Sequence, residues 1–402
     1  MTLLLCVLAL SYLGSTLMRG RALRGFGLPS GSEWVVLGFM LGPHVLGSVD
    51  RSRVVGFEPL AAMAVSWMAF IMGTRYARGV RSAGARAAFF GIILALCTAG
   101  AVAVCVYLVA QRWLPLRGVD LLTASLGAGL VSAETTRYAI GWVVERYAAR
   151  GPLSERIAGL AAADDVVPLL LLAVPFALIA PNAPYAVAWW GWSLCTLALG
   201  ALLGMTSALL LRFATSASDS FGVLLGAALL GSGIAWRLGL SALSAMFALG
   251  VTLAVFSRHR NELASLLTRT EQPVLLPALL LAGAALHLDL QAGAGIVLAA
   301  ACGARMLARG LAGPLVGIVA DPNRRPGPVL GLALLPTGGL TITLGLACTL
   351  RFPGAVGDLI LSIAVAQTLL GELLGPLGLR IALRRAGEIT LPPEGVDAEL
   401  AA

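Results

Sequence analysis

Lysine is absent from the 402 residues, so all 28 basic side chains are arginine. Charge of either sign is scarce: only 12% of residues are Asp, Glu, Lys or Arg, against about 25% in soluble domains. That shortage excludes a soluble globular body. The six cysteines (Cys6, Cys97, Cys105, Cys195, Cys302, Cys348) are dispersed, mostly inside apolar runs, and none forms a metal-type pair. They read as small buried apolar residues. Three histidines, His44, His259 and His287, stand apart from one another and read as ordinary polar positions. No low-complexity stretch or separate soluble domain interrupts the chain.

What is abundant is apolar: 58% of residues are hydrophobic and the mean hydropathy is +0.90. Runs of about 20 apolar residues, each enough to cross a bilayer as a helix, recur from end to end. The 48 glycines suit close helix contacts in a membrane. The chain therefore reads as an all-α polytopic membrane protein with about 13 transmembrane helices, at 1–18, 33–49, 56–73, 87–110, 119–144, 157–180, 185–211, 220–236, 240–256, 272–288, 292–318, 327–349 and 354–383. The first run has no basic residue before it and Arg19, Arg21 and Arg24 after it, the charge order of a retained helix with its N-terminus outside. With that orientation the loops place nineteen arginines on the cytoplasmic side and six on the other. The net charge of +8 is thus explained by topology and not by nucleic-acid binding. Trp189, Trp190 and Trp192 read as an interfacial belt.

Seven charges fall at membrane depth: Glu134, Asp164, Asp165, Glu372, Arg137, Arg305 and Arg309. One charge at the centre of a span costs roughly 2.5–3.5 kcal/mol on insertion scales. Two adjacent carboxylates, Asp164 and Asp165, also repel each other. A membrane helix retains such a pair only where a cation, a proton or a basic partner offsets the cost, so the pair is the leading functional site. The near balance of signs points to mutual neutralisation, and Glu134 and Arg137 stand at the i,i+3 spacing of a helical ion pair. Arg309 is read as reaching across the bundle or snorkelling to an interface, and Thr341 and Thr343 as bonding their own helix.

Two spans carry interruptions. Ser132-Ala-Glu134-Thr135-Thr136-Arg137 is polar in mid-membrane, and Pro336-Thr337-Gly338-Gly339 breaks the span 327–349. Free backbone groups at that depth are tolerated only beside protein or a water-filled cavity. Each break lies in the middle span of a triplet, 4–5–6 and 11–12–13, and the triplets begin on opposite sides. Such inverted repeats place a transport site at the midplane.

These residues carry a resemblance. Leu37-Gly-Phe-Met-Leu-Gly42-Pro43, Ala163-Asp164-Asp165-Val166, Gly239 to Gly250 and Gly371-Glu372-Leu-Leu-Gly375-Pro376 together are similar to monovalent cation:proton antiporters of the branch with NapA-type and Kef-type exchangers, with the more distant NhaA fold. The resemblance implies a transporter and not an enzyme, without cofactor. It implies a dimerisation bundle from 1–80 and 216–290, a core transport bundle from 81–183 and 291–386, a linker helix at 184–215 and a short cytoplasmic tail at 387–402. It implies Asp165 as the shared carrier of proton and cation, Asp164 as its partner carboxylate and Arg305 as the basic residue that pairs with Asp164. Thr135 and Thr136 would add oxygen ligands. The implied partners are a monovalent cation, sodium or potassium, a proton, the lipid bilayer and a second copy of the chain, in a plasma or inner membrane. The chain departs from the family pattern at Glu134-Thr135-Thr136-Arg137, at Pro336-Thr337-Gly338-Gly339 and at Arg305, where lysine is common. A sodium-coupled organic-solute symporter on the same scaffold and a non-transporting sensor are the rival readings. No G-x-G-x-x-G follows the last apolar run, which speaks against nucleotide gating within these residues.

Overall fold

The computed structural model describes residues 31–43, 45–47, 56–178, 189–257, 260–287, 292–320, 329–352 and 354–389. The first span with Arg19, Arg21 and Arg24, the loop residues Arg51, Arg53, Arg324 and Arg325, His44, His259 and most of the tail lie outside them. Among the described residues every regular element is helical. We number them α1 (Glu33–Leu41), α2 (Glu58–Trp113), α3 (Gly118–Val131), α4 (Arg137–Arg146), α5 (Pro152–Ala163), α6 (Val166–Leu171), α7 (Ala173–Leu178), α8 (Trp189–Leu210), α9 (Ala217–Leu238), α10 (Ala242–Phe256), α11 (Arg260–Ala285), α12 (Ala292–Ala320), α13 (Val329–Ala333), α14 (Gly339–Arg351) and α15 (Ala355–Arg385). Six helical stretches among the described residues are long and apolar enough to cross a bilayer: 86–113, 152–178, 190–210, 217–238, 293–316 and 355–385.

Three boundaries differ from those read in the sequence. The expected span 33–49 is helical only to Leu41, because Pro43 cannot extend it. The stretch before Pro273, expected as a loop, is helical from Arg260, so Arg269 and Glu271 are part of α11. The basic loop expected between the third and fourth spans is also helical: α2 runs unbroken for 56 residues. Its alanines and arginines are good helix formers and no proline interrupts it after the first turn. At about 1.5 Å per residue, a straight helix would hold Gly79 and Gly91 about 18 Å apart. Yet a Cβ on Gly79 would lie 3.1 Å from Ala162 Cβ, and one on Gly91 2.9 Å from Ala163 Cβ. Both glycines reach adjacent residues of α5, so α2 bends between them.

The first half of α2 packs tightly on α10. A Cβ on Gly73 would stand 2.2 Å from Phe247 O, and one on Gly250 2.3 Å from Phe70 O, so only glycine allows this backbone approach. The main apolar core runs through this seam, with Phe70, Met68, Met246, Phe247 and Leu249 almost fully buried. A second core gathers Ile157 and Leu160 of α5, Leu330 of α13, and Leu379 and Leu383 of α15. The interrupted elements lie against these two cores.

Candidate functional site

The two interruptions meet. α3 ends at Val131 and α4 starts at Arg137; α13 ends at Ala333 and α14 starts at Gly339. Between the gaps, Thr136 N–H donates to Pro336 O at 3.1 Å. The second gap is seated on α15, where a Cβ on Gly371 would strike Thr337 Oγ1 at 2.0 Å and one on Gly375 would reach Pro336 Cα at 2.6 Å. Thr337 also donates its hydroxyl to Gln367 O at 2.8 Å.

A helix end leaves carbonyls without partners and carries partial negative charge. Arg305 of α12 answers both ends at once. Its Nε donates to Ser132 O at 3.0 Å, Nη2 to Glu134 O at 2.9 Å and Nη1 to Leu335 O at 2.9 Å. The planar fork of five donors makes this three-way clip possible. The opposite charge serves the start of α14, where the partial charge is positive. There Glu134 Oε2 accepts from Gly338 N–H at 3.1 Å and from Thr341 Oγ1 at 2.5 Å. Thr341 thus bonds across the gap, while Thr343 bonds its own helix at Leu340 O.

The carboxylate pair sits where α5 gives way to α6. Pro168 has no N–H to offer the carbonyl of Asp164, four residues earlier; Val167 N–H takes that carbonyl instead, at 3.2 Å. Asp164 and Asp165 are buried, 1% and 4% exposed. Arg309, fully buried, donates from Nη1 and Nη2 to Asp164 Oδ2 at 3.2 and 3.3 Å, and from Nη2 to Ala133 O. Arg137 reaches Asp165 Oδ2 at 3.4 Å.

These contacts correct two expected pairings. Asp164 pairs with Arg309 and not Arg305, which is held by the interruption carbonyls one helical turn away. Arg137 pairs with Asp165 and not Glu134, because residues 132–136 are not helical and the i,i+3 geometry does not form. Thr136 caps α4, its hydroxyl accepting from Tyr138 N–H at 3.4 Å. Thr135 Oγ1, Asp164 Oδ1 and Asp165 Oδ1 are buried without a hydrogen-bond partner among the described residues. Oxygens of this kind suit a hard cation.

A cavity of about 220 Å³ reaches Asp165. Its wall includes Glu134, Thr136, Arg137 and Tyr138, together with Met68, Met72 and Arg75 of α2 and Leu275 of α11. Arg75 forms a two-pronged ion pair with Glu271 of α11, a buried acid that sequence reading passed over. The available signal was an acidic residue two positions before Pro273, next to a span edge. Glu372 is also buried and accepts from the Ser32 hydroxyl, which joins α15 to the start of α1.

An all-helical, multi-pass membrane architecture, with two interrupted helices bonded to each other around buried opposite charges, defines a class of membrane transport proteins. The family model described as "Sodium/hydrogen exchanger, transmembrane" matches residues 8–385. The chain belongs to this family. Its fold is similar to two structures of the sodium proton antiporter MjNhaP1 from Methanocaldococcus jannaschii. The first, at pH 8, has a TM-score of 0.67 at 13% identity and covers 92% of this chain and 97% of that one. The second, from electron microscopy, has a TM-score of 0.62 at 15% identity and covers 97% of both chains. Comparison with curated proteins gives no match.

Proposed function

We propose that the protein exchanges a monovalent cation for protons across a membrane by alternating access, with Asp165 as the carrier that the two cargoes load in turn. One observation carries the reading: Asp165 has a buried oxygen without a partner among the described residues and lies on a cavity wide enough for several waters. A carboxylate so placed gains by accepting either a proton or a cation, and one group cannot hold both. Thr135 supplies a further buried oxygen, and Asp164 a second acidic one. Arg309 neutralises Asp164, and of the two acids on the cavity wall Glu134 already accepts from Gly338 N–H and Thr341, which favours Asp165 as the carrier.

On this reading the second arm of α2, α3 to α7 and α12 to α15 form the moving core, residues 81–183 and 291–386. Residues 1–80 and 216–290 form the scaffold and the face for a second copy, and 184–215 links them. The arginine distribution supports an N-terminus outside and a cytoplasmic C-terminus. Sodium is the first cation to test, with potassium and lithium beside it.

The experiment is proton flux in proteoliposomes containing the full chain, driven by each alkali cation in turn. Wild type should acidify or alkalinise the lumen on cation addition, and Asp165→Asn should not. Undiminished exchange in Asp165→Asn would remove the carrier assignment.

A further inference from the structure

Around the crossing stand three carboxylates, Glu134, Asp164 and Asp165, and three guanidinium groups, Arg137, Arg305 and Arg309. Two of the arginines are committed to fixed partners: Arg305 to three carbonyls, and Arg309 to Asp164 and Ala133 O. Arg137 is different. Its side chain is 29% exposed and forms part of the cavity wall. It meets Asp165 through one nitrogen at 3.4 Å, with Met72 Sδ as a second, soft neighbour at 3.6 Å. Charge-assisted guanidinium–carboxylate bonds are commonly about 2.7–2.9 Å and often two-pronged, so this contact is a loose one.

Local structure gives no reason for an arginine here. Arg137 is the first residue of α4, where the helix end is already positive and a cation is disfavoured. Asp165 is what offsets that placement.

We propose that Arg137 is a tethered stand-in for the transported cation. It occupies Asp165 when cargo is absent, and cargo loads by displacing it into the cavity. The inference rests on Asp165 being the carrier. Charge supports it: with the six groups ionised the crossing is neutral, so an added cation leaves an excess positive charge in a poorly screened interior unless the guanidinium withdraws. Space supports it, because Arg137 is part of the wall of a cavity of about 220 Å³. Chemistry supports it as well. A guanidinium keeps its charge at every working pH and is weakly hydrated, so it competes as a permanent monovalent cation. The site is then open to cargo for only part of the time, and apparent affinity falls by that fraction. Arg137 thereby sets the cation concentration at which exchange begins.

The test compares wild type, Arg137→Met and Arg137→Lys as full chains. Two readouts are taken: half-saturating sodium for proton flux in proteoliposomes, and the sodium concentration that raises Tm in detergent. Methionine keeps the length and removes the charge; lysine keeps a tethered cation. Arg137→Met should lower both sodium concentrations about tenfold or more, and Arg137→Lys should fall between it and wild type. Tighter sodium stabilisation with slowed flux in Arg137→Met also supports the proposal, because release then limits turnover. Unchanged or weaker sodium dependence in Arg137→Met, beside an exchanging wild type, overturns the proposal and leaves the exchange reading intact. If wild type neither exchanges nor is stabilised by sodium, potassium or lithium, the exchange reading fails. The proposal then falls too, unless Arg137→Met gains the cation response.

Discussion

Arg309 Nη1 stands 3.2 Å from Asp164 Oδ2, and their side chains are 0% and 1% exposed. Removing one partner of a buried pair leaves the other charge uncompensated, at roughly 3–5 kcal/mol. Arg309→Met alone should therefore lower Tm in detergent sharply, followed by tryptophan fluorescence. The double variant Arg309→Met/Asp164→Leu should recover much of the loss, since apolar replacement of both partners is often neutral. It should not recover proton flux. A double variant no more stable than Arg309→Met would show that the pair does not act as a unit.

Arg305 holds the carbonyls of Ser132, Glu134 and Leu335 together. A lysine has three donors on one tetrahedral nitrogen and cannot match that planar reach. Arg305→Lys should remain folded but lose at least about tenfold in exchange rate, whereas Arg305→Met should lose stability as well, by about 1–3 kcal/mol for each carbonyl stranded. Equal flux in wild type and Arg305→Lys would show that the ammonium is a sufficient clip.

The bond from Gly338 N–H to Glu134 Oε2 anchors the first turn of α14 with an anion at a positive helix end. Glu134→Gln retains an acceptor and should cost about 1–2 kcal/mol. Glu134→Leu strands both the Gly338 amide and the Thr341 hydroxyl and should cost more. Hydrogen exchange at residues 338–342 is the measurement, with faster exchange expected in the order wild type, Gln, Leu.

Gly250→Ala would push a methyl group to within 2.3 Å of Phe70 O, a backbone atom that no rotamer change can move. Tm should fall by several degrees. Gly233→Ala, at a position with nothing among the described residues within 4 Å of the added carbon, should leave Tm unchanged or raise it through better helix propensity. Equal effects at the two sites would argue against the tight α2–α10 seam.

Much of this was legible from charge in an apolar chain. A carboxylate or guanidinium at membrane depth has few bland explanations, so Asp164, Asp165, Glu134, Arg305 and Arg309 stood out before any fold was known. Proline and glycine marked the second interruption just as plainly. Pairing was not legible. Arg305 and Arg309 are one turn apart on the same face of α12, and which of them reaches Asp164 depends on where the crossing sits along that face. Helical spacing points Arg137 at Glu134, and it fails because the chain is unwound there. Glu271 draws no notice in the sequence, since nothing in one-dimensional spacing says that α11 and α2 bring it together with Arg75 over a cavity.

The bend in α2 has a mechanical consequence. One arm of this helix is locked by glycine contacts to α10 and the other lies along α5, which leads into the acidic pair. No slack loop separates the arms, so relative travel between their neighbours has to be absorbed as flexure of continuous helix between Gly79 and Gly91. That arc reads Gly-Val-Arg-Ser-Ala-Gly-Ala-Arg-Ala-Ala-Phe-Phe-Gly, and each glycine weakens a helix by about 1 kcal/mol relative to alanine. The segment is an elbow softened by its own composition.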